Sequence, residues 1–349
     1  MHNQYLPSAL LMGCLLIGGT PSTVIAQSQT SAEMSASQLS AIKAGYRRAP
    51  AIPIENQALV DLGRELFFEP ALSGSGNTSC ASCHLPELGW GVKDAKSRTD
   101  SGGLTSRRSQ TLLAIGHGGT APIGWDGRNA TLEAQAKSSI VSGSMSMQKP
   151  NPVKVDVIEQ RIRSNPSYAE RFNAAMPNAT IDIDTIAQAI AAFERTIEPD
   201  VAPFDLWIEG NETAISDSAK RGFALFNDKA LCFACHRGWR FTDDQFHDIG
   251  VSTKDPGRAR AVKNDPLAQF AFKTPTLRDV ALRPPYMHDG SVATLEGTVR
   301  HYERGGFERE SRSPLMQKVT LTDQERQDLV AFMETLTGGM QASSVGRGN

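Results

Sequence analysis

After the N-terminal segment, no stretch of this chain reaches the ~20 consecutive apolar residues that a membrane helix needs. The charges nearly cancel, for a formal net charge of −2, so nothing points to a nucleic-acid partner. No run of alternating apolar residues is long enough to suggest a large sheet. Cysteine is scarce: of five, four fall in two pentapeptides, and the fifth, Cys14, lies in the N-terminal segment. No thiols are left over for a separate disulfide framework.

The two pentapeptides organise the chain. Cys80-Ala81-Ser82-Cys83-His84 and Cys232-Phe233-Ala234-Cys235-His236 both read Cys-x-x-Cys-His, the attachment signal for a c-type haem. Two thiols three positions apart can each add to a vinyl group of one porphyrin, and the adjacent His then supplies the proximal iron ligand. One such motif alone would also suit a zinc half-site or a redox dithiol. Two complete copies argue for two covalently bound haem c groups.

An internal repeat surrounds them. Gly63-Arg64-Glu65-Leu66-Phe67 precedes the first motif and Gly222-Phe223-Ala224-Leu225-Phe226 the second, and the pairs Gly89-Trp90 and Gly238-Trp239 follow. The order helix, haem turn, loop predicts a mostly α protein of two tandem cytochrome c-like domains, each carrying one haem. The two Trp residues read as packing. Residues 1–26 read as a signal peptide, with Val24-Ile25-Ala26 as the cleavage site. Cys14 as a lipid-anchored residue is a poorer fit, because Met12 precedes Gly13. Export agrees with c-type haem, which is attached outside the cytoplasm, and predicts a soluble periplasmic protein. Residues 27–50, rich in Ser, Ala and Gln, read as a flexible arm. The first haem domain is expected over 51–204 and the second over 205–338, with a disordered tail at 339–349. Asp156–Ala175 and Asp184–Ile197 read as helices, the latter with Ile186, Ile190, Phe193 and Ile197 on one face. A last helix is expected from the capping box Thr322-x-x-Glu325 to Gly338, burying Leu329, Val330, Met333 and Leu336.

The two haem motifs, Trp125-Asp126-Gly127-Arg128, and Pro285-Tyr286-Met287-His288-Asp289-Gly290 together resemble the bacterial di-haem cytochrome c peroxidase and MauG family over roughly residues 55–337. The resemblance implies an enzyme that uses hydrogen peroxide. It makes His84 the proximal ligand of the peroxide-reacting haem and His236 that of an electron-relay haem. Trp125 corresponds to the tryptophan between the haems, and Gln135 to the distal glutamine. Position 302 holds the second ligand of the relay haem. Typical peroxidases carry Met there and MauG-type proteins Tyr; this chain has Tyr302. Leu295, Val299 and Tyr302 share one helical face, and neighbouring His301 is the rival ligand. A thioether favours reduced iron, whereas a phenolic oxygen favours oxidised iron.

The distal pocket departs from the family. The expected glutamate, ten residues after Gln135, is Met145, and no carboxylate lies between 134 and 155. Glu133 is one candidate substitute for this acid–base work. Met145 or Met147 as an iron ligand would instead make the protein a non-enzymatic electron carrier; as pocket fillers, both are unremarkable. The resemblance also implies an interdomain calcium ion, at positions held here by Ser109, Arg283 and Pro285. His288 and Asp289 read as turn-fixing, while His117 and His247 follow no pattern. The implied partners are hydrogen peroxide and a small c-type cytochrome or another periplasmic protein.

Overall fold

The computed structural model describes residues 36–141, 143–146 and 153–338. The expected signal peptide with Cys14, the start of the arm, Met147 and the tail at 339–349 lie outside the described residues. No described helix is long and apolar enough to cross a membrane. The described chain is mostly helical, with one two-stranded antiparallel ribbon, β1 (Phe246–His247) and β2 (Phe272–Lys273).

The predicted repeat is visible as two helix crossings. In the first half, α2 (Gln57–Phe67) packs across α6 (Ile183–Glu194); in the second, α8 (Asp217–Asn227) packs across α10 (Asp323–Glu334). Each crossing closes on a glycine. A Cβ on Gly63 would stand 1.8 Å from the Ala189 carbonyl oxygen, and one on Gly222 would stand 1.9 Å from that of Asp328. Only hydrogen fits there, so the backbones touch. Four residues on, Phe67 and Phe226 are buried in the two cores.

Between α2 and α6 the chain forms α3 (Leu132–Val141), α4 (Val155–Arg163) and α5 (Pro166–Ala175). The single helix expected over 156–175 is thus two. Asn165 Oδ1 accepts the Ser167 N–H and Pro166 occupies the first helical position, so a new helix starts where a continuous one would lack an N–H. The second half adds α7 (Pro203–Ile208) and α9 (Leu295–Glu303). At the start of α10, Thr322 Oγ1 and the Glu325 carboxylate each accept the other's backbone N–H, as the capping box requires. This helix buries Leu329 and Met333, Leu336 is buried just beyond it, and Val330 is half-buried.

The flexible arm expected over 27–50 is corrected for its described part. Residues Ala36–Ala44 form α1, and Tyr46 is buried against Phe204, Phe223 and Phe241, with its hydroxyl on Asn227 Oδ1 at 2.7 Å. One aromatic ring buries enough apolar surface to anchor an otherwise polar segment.

Candidate haem sites and the residues between them

Both Cys-x-x-Cys-His motifs fold as a single 3-10 turn, Cys80–Ser82 and Cys232–Ala234, and in the second Cys232, Cys235 and His236 line one cavity. The His84 and His236 N–H groups donate to the carbonyls of Cys80 and Cys232, at 3.1 and 2.9 Å. The rings are fixed from behind, with His84 Nδ1 3.2 Å from the Trp90 carbonyl and His236 Nδ1 2.8 Å from that of Phe241. A carbonyl only accepts, so Nδ1 carries the proton and Nε2 keeps its lone pair for a metal. Burial holds both imidazoles below their ordinary pKa, in the neutral form a ligand needs. The four described cysteines are free thiols, as thioether formation requires.

In the second half, an apolar cavity is lined by Cys232, His236, Val299, Tyr302, Leu329 and Met333. Tyr302 therefore enters the cavity that holds His236. Its hydroxyl is raised above the ordinary phenol pKa by burial. The rival, His301, turns away and places Nε2 2.8 Å from the Ile249 carbonyl. The residues fit a haem at both positions: a two-thiol turn, a tautomer-fixed imidazole and, in the second half, an enclosed apolar space.

The same cavity reaches Trp125 and Arg108. The indole Nε1 donates to the Arg108 carbonyl at 2.6 Å, and the Lys273 N–H donates to the Trp125 carbonyl at 2.8 Å. His288 and Phe272, stacked at 3.6 Å, meet the indole edge-on. Buried Asp126 pairs with Arg107 and Arg128, and Arg107 also grips Asp255 at 2.7 Å. The ring is held from several sides.

Around the first haem motif, Gln135 accepts from the Asn129 side chain and donates to Ser139 Oγ at 3.1 Å. Met145 is buried, with its sulfur 4.0 Å from Cys80 Sγ. Trp90 packs between Phe67 and Phe193. Glu133, the candidate substitute acid, is tied to Arg195 at 2.6 Å; despite partial burial, its hydrogen bonds hold it below the ordinary carboxylate range. It is a spent carboxylate.

The calcium positions do not fit the ion. Ser109 Oγ is engaged with Ser97 Oγ at 2.7 Å. The Arg283 carbonyl, an expected ligand, instead accepts the Arg108 guanidinium at 3.3 Å, and the Pro284 carbonyl accepts it at 3.2 Å. The Arg283 guanidinium is itself buried nearby, donating to the carbonyls of Thr276, Arg278 and Asp279. Calcium needs six to eight oxygens, and two fixed cations repel it.

Two groups escaped the sequence reading. His247, on β1, places Nε2 2.9 Å from Asp243 Oδ2 and lines the second cavity beside Cys235. Glu194, at the end of α6, is a buried carboxyl that makes no hydrogen bond through Oε2.

Residues 57–213 match the family model described as di-haem cytochrome c peroxidase, and residues 219–337 that of cytochrome c. The chain is 40% identical to the methylamine utilization protein MauG of Methylorubrum extorquens, over 95% of each chain. It is 32% identical to the cytochrome c551 peroxidase of Nitrosomonas europaea, over 82% of each. The crystal structure of a MauG-like protein associated with microbial copper homeostasis superposes with a TM-score of 0.74 at 30% identity, covering 84% of this chain and 94% of that one.

Proposed function

Because the chain belongs to the di-haem cytochrome c peroxidase and MauG family, we propose that this oxidoreductase works in the periplasm and uses hydrogen peroxide to oxidise a side chain of a partner protein. The first half, residues 51–204, would meet peroxide at the haem held by Cys80, Cys83 and His84. The second half, 205–338, would hold charge on the haem carried by Cys232, Cys235, His236 and Tyr302. Bound haem supplies the redox chemistry; the chain supplies ligands, a path and a dry surrounding.

One observation carries the choice of partner. Tyr302 stands in the cavity of the relay haem. A phenolic oxygen stabilises oxidised iron, which suits a store of oxidising equivalents better than an acceptor of electrons from a small cytochrome. The relatives support the same reading. Two methylamine utilization proteins stand at 40% and 41% identity, whereas a cytochrome-c peroxidase from Denitromonas iodatirespirans stands at 34%. Trp125, pinned between the halves, would carry charge from one haem to the other, and Gln135 would orient the distal ligand.

The test is stoichiometric hydrogen peroxide added to the purified diferric protein, followed by stopped-flow absorbance and Mössbauer spectroscopy. Loss of the ferric signature at both irons, altered in Tyr302→Met, is the expected result. A protein inert in both the diferric and half-reduced states would be an electron carrier instead.

A further inference from the structure

The two crossings give the halves a common register. Gly63 meets the Ala189 carbonyl and Phe193 Cβ; Gly222 meets the Asp328 carbonyl and Phe332 Cβ. Ala189 therefore corresponds to Asp328 and Phe193 to Phe332. One residue on, Ile190 corresponds to Leu329, and five residues on, Glu194 corresponds to Met333. Leu329 and Met333 both line the cavity of the second haem. Glu194 thus occupies a haem-lining position in the first half, with a carboxyl where the second half has a thioether.

The surroundings of Glu194 agree. Its residue is 6% exposed, Oε2 has no hydrogen-bond partner, and α6 packs against α3, the helix that carries Gln135. It lies near enough to Cys80 to raise that thiol, after burial, as the next largest influence. A buried carboxyl with one unpartnered oxygen is costly, so its place at this position calls for a use. We propose that Glu194 is the catalytic acid–base group of the N-terminal haem pocket, taking the role of the loop acid whose place Met145 occupies. This rests on the peroxide reading above.

Burial is the main cause that raises the Glu194 carboxyl to about 8, with Glu133 adding and Arg195 opposing. Those two are paired with each other at 2.6 Å. On the helices packed against α6, Lys137 of α3 pairs with Asp184 and Glu65 of α2 with Arg171. Glu194 is then neutral at pH 7, and a neutral carboxyl both donates and accepts. Cleaving the O–O bond of hydrogen peroxide requires one proton on the outer oxygen, which leaves as water, and releases one from the inner oxygen. Glu194 gives the first and takes the second, ending as it began. The two electrons come from the haem pair.

The test is Glu194→Gln in the di-haem protein. Haem content and the resting spectrum should be retained, thermal stability at about pH 5 should match wild type, and the infrared band of a protonated carboxyl should be lost. The second-order rate with peroxide should fall on the order of 10²–10⁴-fold. The wild-type rate should decline as pH rises through about 8, and the variant should show no such decline. A variant with the wild-type rate and pH profile overturns the assignment and leaves the peroxide reading intact; a wild type inert to peroxide overturns both. If E194Q fails to hold haem, the wild-type protein decides, since a rate flat between about pH 6 and 10 across the Glu194 titration overturns the role.

Discussion

Adding one methyl group at either helix crossing tests whether backbone contact is what holds each haem unit together. In Gly63→Ala, the new Cβ begins 1.8 Å from the Ala189 carbonyl oxygen, against the 3.0 Å that real Cβ atoms essentially never undercut, so α2 and α6 must part by at least 1.2 Å. A carbonyl in mid-helix cannot swing aside as a side chain would. A gap of that size forfeits about half of the dispersion attraction across it, and the seam seals Leu62, Leu66, Phe67, Ile186 and Ile190. Overpacking costs about 3 kcal/mol, against about 1 kcal/mol gained because Ala favours the helix over Gly. The net loss is about 2 kcal/mol, a large share of a typical domain's stability. Gly222→Ala should cost as much at the Asp328 carbonyl, 1.9 Å away. Urea unfolding of the di-haem protein, followed by far-UV circular dichroism and by the Soret band, measures both. G63A should first disturb the haem on His84, and G222A the haem on His236, which their EPR signals separate. A G63A protein as stable as wild type would refute the close-contact account.

Glu194 makes stability depend on pH. Its folded carboxyl is raised from 4.5 to about 8, so its contribution is fully present below about pH 4.5 and is lost as pH rises through about 8. A shift of that size amounts to roughly 5 kcal/mol; the urea midpoint of wild type should therefore drop more between about pH 5 and 8 than that of E194Q, and parallel curves would contradict it. With arginines where calcium would sit, chelation by EGTA and later calcium addition should leave the resting spectrum, melting temperature and peroxide rate unchanged; a calcium-dependent shift in any of them would restore the ion. Asp126→Asn removes a buried carboxylate that holds Arg107 and Arg128. It should cost about 3 kcal/mol, read as a lower unfolding midpoint.

Much of this arrangement was legible in the residues. The haem turns follow from five-residue motifs whose geometry is local, and the start of α10 from a capping box four residues long. Tyr302 was legible through the family resemblance, with helical spacing to Leu295 and Val299 in agreement. Other features depend on what meets across the core. Glu194 follows Ile190 by four residues on a helix whose inward face reads as apolar, so periodicity alone gave no reason to single out a carboxyl there. Extending the repeat to Gly63 and Gly222 in register would have set it opposite Met333. Tyr46 was hidden by the polar composition around it, since a single ring decides whether that segment docks. The break at Asn165-Pro166 lies inside the span read as one helix, although a proline there marks the start of a new one. Arg283 was visible at a calcium position; only the fold shows that the guanidinium of Arg108 reaches its carbonyl.

Arg108 joins several of these elements. Its carbonyl takes the Trp125 indole proton, its N–H binds the His288 carbonyl, and its guanidinium spans the carbonyls of Val92 and Asp94 in one half and Arg283 and Pro284 in the other. One residue therefore ties the two halves through its side chain and seats the Trp125 indole through its backbone. Relative sliding of the halves would strain the bond that seats the indole, so the proposed route through Trp125 and the seam between the halves would fail or hold together. If the proposed route through Trp125 operates, its geometry would be held by the same residue that ties the halves, together with Lys273, Phe272 and His288.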